Sequence, residues 1–557
     1  MRLAAALLLW LALAAAPAQA ADCPAVTVPG AEMQKSACLD DLTTNGTVLN
    51  GHTDPSDWAL LTDLEQQKPD APAPGEQIDG YFPDTSAFNT TNGWVHDAQF
   101  VIRLPEDYNG KLIVTGAPGV RKQYAPDPII SDWAVSHGYA YASTDKGNSG
   151  QVFFLDGATP GDAVLEWHQR VTQLARAAKQ VVKERYGAAP QQTYMTGISN
   201  GGYLTRWQIE HHPKLFDGGV DWEGTLFTPD GPNLFTYLPA ALANYPAAAL
   251  GDQTAHDAMI KAGFPPGSEI LWADHYAEYW DLSQRAYREE FDPDYDGALP
   301  GGIPFCQPGV PFCDADYDLA ERPAAVHDAL RKVSLTGNIR RPLITLHGTL
   351  DALLPIATDS DVYDRMIDAA GRGALHRYWV IEDGNHVDGR YDLHPDALRP
   401  IWPCWTVAMS ALDSWVRLGV APPRDQFVPN PGGPDVANEC TVKSGRRVPG
   451  AGPAPAPGQP LVPDGRVAPA SITARVTRRR HHRVRVRGRV VLPAGLEPGQ
   501  ACGSGTVAVG RRRTTLKADC TFALRLRSRR AKHLTARFTG NRALEAGTGS
   551  ARRARAG

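Results

Sequence analysis

The segment Thr196-Gly197-Ile198-Ser199-Asn200-Gly201-Gly202-Tyr203 sets a serine between two glycines at G-x-S-x-G spacing. A β-like run precedes it and a helical pattern follows, which is the setting a nucleophile elbow requires. The turn from strand to helix is so tight that Gly197 and Gly201 must lack side chains, and the Ser199 hydroxyl is pushed out into a cleft. The backbone N–H of Asn200, at the start of the helix, then points to where an oxyanion would form.

A serine is a weak nucleophile at neutral pH and needs a base with an orienting acid. Both are expected later in the chain. Asp351 stands in the turn after the apolar run Pro342-Leu-Ile-Thr-Leu346, and His386 follows the run Tyr378-Trp-Val-Ile381. The chain order Ser199, Asp351, His386 predicts a triad in which His386 takes the serine proton and Asp351 fixes its tautomer. Asp383 competes for the acid role, but it sits only three residues before His386 on one loop, so Asp351 is preferred. His347 competes as base; a His before Gly at a strand end reads better as a support for the loop carrying the acid. His211 and His212 close a helix, where positive charge is favoured. A second oxyanion donor is expected in Thr115-Gly116-Ala117-Pro118-Gly119; Pro118 has no N–H, which selects Ala117.

These residues need a scaffold that brings distant loops to one edge. Strand-like runs at Lys111 to Thr115, Tyr139 to Ser143, Thr193 to Thr196 and Pro342 to Leu346 alternate with helical patterns at Asp162 to Arg185 and Leu204 to His211. Such alternation predicts an α/β domain with a mostly parallel sheet covered on both faces. Residues from about Thr225 to Arg340 break it with Pro, Gly and aromatics, and read as an inserted cap. Its aromatics, Trp272 and Trp280 among them, could line a pocket, but most are expected in the cap's own core.

At these motifs the chain resembles the α/β-hydrolase superfamily of serine esterases, over roughly Trp94 to Leu418. The extra Gly202, the cysteines and the long cap resemble secreted tannase and feruloyl-esterase-like enzymes, and also polyhydroxyalkanoate depolymerases. The resemblance implies hydrolysis of carboxylic esters through an acyl-enzyme without an organic cofactor. A serine peptidase on the same fold, or a binding protein on an inactive scaffold, are the alternatives. One departure is that no cysteine adjoins Ser199 or His386, where tannases commonly join the two catalytic loops by a disulfide.

Asp292-Pro-Asp294-Tyr-Asp296-Gly297 reproduces the start of a calcium loop, but the twelfth position is Ile303 instead of Glu. A solvated acidic loop is the first reading. A structural calcium at Asp292, Asp294 and Asp296 is the alternative, which the tannase resemblance also implies.

The 557 residues carry a net charge of −5, but this is an average of opposites. From Ala470 to Gly557 there are 22 Lys and Arg against three acids, about +19, which leaves about −24 for the preceding residues. Seven prolines between Arg446 and Pro469 mark a spacer, so the expected organisation is a hydrolase domain at 21–445, a linker at 446–469 and a basic module at 470–546, with 547–557 disordered. Period-two alternation in Arg483 to Val491 and Thr521 to Arg527 predicts a small all-β, sandwich-like module. Its arginines suit an anionic surface or polymer, or equally a solvated module that uses Arg for solubility; without interleaved aromatics they do not suit nucleic acid.

Arg2, the Leu/Ala run to Ala16 and Ala18-Gln19-Ala20 read as a signal peptide over residues 1–20, and no later stretch is apolar enough to span a membrane. An exported chain with eight cysteines favours disulfides, expected between neighbours: Cys23 with Cys38, Cys306 with Cys313, Cys404 with Cys440, and Cys502 with Cys520.

Overall fold

The computed structural model describes residues 26–557 except 63–68, 70, 296–313, 424, 431, 433–439, 441, 443–468, 479–482, 493–497, 504, 528–533, 542–543 and 554–557. Ten strands form one sheet: β1 (Met33–Leu39), β2 (Gly75–Tyr81), β3 (Gln99–Pro105), β4 (Lys111–Gly116), β5 (Ala140–Thr144), β6 (Gln192–Ile198), β7 (Gly218–Trp222), β8 (Leu343–Gly348), β9 (His376–Ile381) and β10 (Gln426–Val428). Their order is β1-β2-β3-β5-β4-β6-β7-β8-β9-β10. The first three and β5 pair antiparallel, and from β5 through β4 to β10 every pairing is parallel. This is the α/β-hydrolase fold.

The central strands are buried on both faces, so they read as continuous apolar runs instead of alternating ones. The helix Asp162–Tyr186 shows how a face is covered. Val164, Trp167, Val171, Leu174, Ala178 and Val182 recur at helical spacing and are buried. Asp162 opens the helix, Lys183 and Arg185 close it, and Gly187 at φ 77° ends it, each placed as the helix dipole and a left-handed terminus require.

Between β7 and β8 the chain leaves the sheet to build the cap, with helices at Leu238–Ala248, Gln253–Ala262, Glu269–His275, Asp281–Phe291 and Ala324–Val333. Phe227, Phe235, Phe264, Trp272, Trp280 and Phe291 are buried in its core. Most of the cap's aromatics therefore fill it.

The C-terminal module is mainly β, with one short helix at Pro498–Ala501. Seven strands, β11 (Ser471–Arg478), β12 (Arg483–Val491), β13 (Thr506–Val509), β14 (Arg512–Thr515), β15 (Thr521–Arg527), β16 (Thr535–Phe538) and β17 (Gly547–Arg553), run in the order β14-β13-β16-β17-β11-β12-β15. Val484, Val486 and Val490 face the core, while Arg487 and Arg489 are exposed. The expectation that 547–557 is disordered is corrected for 547–553, while 554–557 lie outside the described residues: β17 lies between β16 and β11. Its Gly547 and Gly549 hid the strand, yet a Cβ at Gly549 would fall 1.8 Å from the Ile472 carbonyl oxygen, so the pairing demands glycine there.

Cys404 is bonded to Cys440, and Cys502 to Cys520. Cys38 is also disulfide-bonded, while Cys23 and the expected Cys306 to Cys313 bridge lie outside the described residues. Among the described residues no helix is long and apolar enough to cross a membrane.

Candidate active site

Ser199 sits between β6 and the helix Asn200–His211 with φ 58° and ψ −123°, a conformation that a side-chain-bearing residue adopts only under constraint. The constraint is close backbone packing. A Cβ at Gly197 would come within 2.5 Å of the Gly201 carbonyl carbon, and one at Gly201 within 2.6 Å of the Gly116 oxygen. Gly202 packs against Gly224 at 2.6 Å by the same measure, so the additional glycine lets the cap's first turn approach the elbow.

The turn after β8 holds Asp351, and the loop after β9 holds His386. His386 Nδ1 lies 2.8 Å from Asp351 Oδ2. The other Asp351 oxygen accepts the N–H groups of Leu353 and Leu354, both at 2.8 Å. Burial opposes ionisation of Asp351, but His386 and then His347 hold its carboxyl well below the usual range. It is an anion at neutral pH. His347 does not compete as base: its ring nitrogens meet Ser360 Oγ at 2.6 Å and the Leu354 oxygen at 2.9 Å, bracing the Asp351 turn. Asp383 points elsewhere and accepts Asn430 Nδ2 at 2.8 Å.

Ser199 and His386 line one cavity of about 380 Å³ beneath the cap. Its walls are mainly apolar, with Phe153, Leu238, Tyr279, Leu282 and Tyr287 among them. Asn200 opens its helix, so its N–H has no preceding turn to satisfy it. Its side-chain amide donates to the Gly119 oxygen at 2.9 Å and its oxygen accepts Thr225 Oγ1 at 3.0 Å.

Ala117 is not the second donor. Its N–H donates to the Thr144 oxygen at 2.9 Å, because the β4 to β5 ladder runs one residue past the strand end. The N–H groups of Gly119 and Val120, which line the cavity, have no acceptor among the described residues. Gly119 adopts φ 51°, a turn that aims the chain at the cleft.

Of the calcium-like loop, Asp292 and Asp294 are described. Asp292 Oδ2 accepts Arg322 Nε at 2.7 Å and the Tyr317 hydroxyl at 3.1 Å, so a guanidinium already meets the charge a cation would neutralise. Asp294 ends in a turn beyond the helix, and Asp296 lies outside the described residues.

Two buried residues at the site carry no motif in the sequence. Glu223 follows β7, and its Oε2 lies 3.6 Å from His386 Nδ1. His275, from the cap, lines the cavity with only 1% of its surface exposed and both ring nitrogens unpartnered among the described residues. Burial pushes its imidazole down to about 3, against the pull of Asp351, so it is neutral. Only the return of the chain to the sheet could reveal either.

Residues 85–221 match the family described as tannase and feruloyl esterase. A 147-residue stretch is 26% identical to the mono(2-hydroxyethyl) terephthalate hydrolase of Piscinibacter sakaiensis, covering 23% of this chain and 24% of that protein. The chain thus matches about a quarter of that relative's length. Among solved structures, feruloyl esterase B from Aspergillus oryzae is similar at 16% identity over 63% of this chain and 82% of that one, with a TM-score of 0.40. Tannin acyl hydrolase from Aspergillus niger is similar at 13% identity over 73% and 86%, with a TM-score of 0.43. The sheet order and the strained serine at the elbow are those of an α/β-hydrolase fold, and within it residues 85–221 are similar to the tannase and feruloyl esterase family.

Proposed function

We propose that this chain is a serine esterase that cleaves carboxylic esters through an acyl-enzyme on Ser199. The observation that carries the reading is the 2.8 Å bond between His386 and Asp351 at the wall of the cavity that Ser199 also lines. With Nδ1 engaged by Asp351, His386 keeps Nε2 for the serine proton. As the Ser199 oxygen bonds to the ester carbon, the carbonyl oxygen becomes an oxyanion held by the N–H of Asn200 and by that of Gly119 or Val120. The imidazolium is paired with Asp351, and its proton leaves on the departing alcohol. Water, deprotonated by His386, then attacks the acyl carbon and releases the acid and the free serine.

The apolar walls fit an aryl or alkyl acid, and neutral His275 offers one donor and one acceptor to a polar group on it. The Ala/Leu-rich start and the disulfides support an exported enzyme. The exposed arginines of β11, β12 and β15 support retention on an anionic surface or polymer.

The test is hydrolysis of aryl esters, hydroxyalkanoate oligomers and aminoacyl amides by wild type and Ser199→Ala. The expected result is ester cleavage that the substitution abolishes. Cleavage confined to amides, or ester cleavage that survives the substitution, would overturn the proposal.

A further inference from the structure

Glu223 combines two unfavourable features at one residue. It is the first residue beyond β7, and its backbone adopts φ 48°, the left-handed region that a residue with a side chain avoids. Its carboxyl is fully buried. One oxygen, Oε1, accepts the Gly348 N–H at 2.7 Å; the other, Oε2, has no hydrogen-bond partner among the described residues. Packing alone would not require a carboxyl here. A glutamine would fill the volume and accept the Gly348 N–H equally well, and a residue without backbone strain would continue the chain.

What the strain achieves is proximity. The Glu223 N–H donates to the Leu346 oxygen at 2.9 Å, anchoring the residue to β8 just before the Asp351 turn. One ligating atom each of Glu223, Asp351 and His386 lie within 4.8 Å of one another. Burial, then the negative Asp351, and further Asp388 and Asp221 raise the Glu223 carboxyl well above its ordinary range, against the Gly348 N–H. Glu223 is thus the neutral member of an acid pair whose charged member is Asp351. Since Oε1 is an acceptor, the proton belongs on Oε2, beside His386.

We infer that Glu223 is a positioning residue for His386: a second carboxyl, beside Asp351, that restrains the imidazole and takes over its orientation when Asp351 is lost. The inference rests on the esterase reading of the same site. The charges balance: neutral Glu223, anionic Asp351 and the imidazolium formed during acylation sum to zero. Were Glu223 also ionised, the site would keep an uncompensated buried charge. Without Asp351, the main charge repelling ionisation of Glu223 is gone, so its carboxylate can accept the His386 Nδ1 proton. The charged and titratable groups around it are then Asp221 on β7, which pairs with Arg206, His347 on β8, and His386 and Asp388 after β9.

The experiment is a double-mutant cycle on the full chain, reading kcat and KM with an activated aryl ester from about pH 5 to 9. Glu223→Gln should lower kcat by about threefold to tenfold and leave KM within about twofold. Asp351→Ala should retain activity at least about tenfold above that of Asp351→Ala/Glu223→Gln, with an alkaline-rising limb that the double variant lacks. Thermal unfolding checks each variant, and Asp351→Asn replaces Asp351→Ala if the latter does not fold. Equal activity and equal pH profiles for the Asp351 variant with and without Glu223→Gln would overturn the inference. A wild type without Ser199-dependent hydrolysis would overturn the esterase reading, and this inference with it.

Discussion

Asn200 donates its side-chain amide to the Tyr287 hydroxyl at 2.6 Å, which joins the first residue of the elbow helix to the cap helix Asp281–Phe291. The bond is buried, and Tyr287 also lines the cavity. Position of the cap and placement of Asn200, the proposed oxyanion donor, are therefore coupled through this contact. Tyr287→Phe leaves Asn200 bonded to Gly119 and Thr225 but frees one amide hydrogen. The expected outcome is a loss of about 1 to 2 kcal/mol in transition-state stabilisation, about fivefold to thirtyfold in kcat/KM. Unchanged ester kinetics in the folded variant would disprove the coupling.

The strain at Ser199 gives a second prediction. Ser199→Gly removes the proposed nucleophile and also the side chain that resists φ 58°. Activity should vanish while the protein gains about 1 kcal/mol of stability, less the glycine's extra entropy in the unfolded chain. Ser199→Ala should lose activity without that gain. Chemical denaturation of the two variants beside wild type measures the difference, and equal stabilities would show that the elbow is unstrained.

Asp132 supplies a pH test away from the catalytic residues. Its carboxyl accepts the Thr44 N–H at 2.8 Å, and burial raises its pKa to about 7 despite that bond. The unfolded value is about 3.9. Between these values the folded chain holds a proton that the unfolded chain has released, so this residue's contribution to stability falls as pH rises from about 4 to 7 and is level above. Asp132→Asn lacks this slope. Relative to wild type it should be more stable by about 1 to 3 kcal/mol at about pH 8 than at about pH 4, read from denaturation at both. A difference that does not change with pH would mean that Asp132 stays ionised.

In the basic module like charges face each other. Arg475 stands directly opposite Arg487, and Arg485 opposite Arg525. Such pairs disfavour the sheet by about 0.2 to 1 kcal/mol each, a penalty that bound anionic groups would relieve. Arg487→Thr should therefore raise the module's melting temperature slightly and weaken retention of the full chain on a polyanionic matrix. Retention of wild type should itself fall steeply with salt. A variant that binds as tightly as wild type would place the anion contact elsewhere.

The strands at Lys111–Gly116, Gln192–Ile198, Leu343–Gly348 and His376–Ile381 and the helix Asp162–Tyr186 were legible because their apolar patterns report burial directly. Ser199, Asp351 and His386 stood out as candidates because a glycine-flanked turn and residues just beyond apolar strands are local signals, and the structure brings His386 to Asp351 and to the cavity that Ser199 lines. β7 was not: Gly218 and Gly219 carry no apolar pattern, yet Cβ atoms there would strike Leu412 at 2.9 Å and Thr205 at 2.8 Å. The helices above the sheet demand glycine, and only their packing says so. With β7 unseen, Glu223 at its end had no address beside His386. Ala117 was misassigned for a similar reason, because whether a backbone N–H is free depends on the neighbouring strand, here at Thr144. Local patterns in the sequence thus determined which residues could carry the chemistry. Strand pairing and cap packing, which join residues from tens to more than a hundred positions apart, decided which N–H groups remained free and which carboxyl lies buried beside His386.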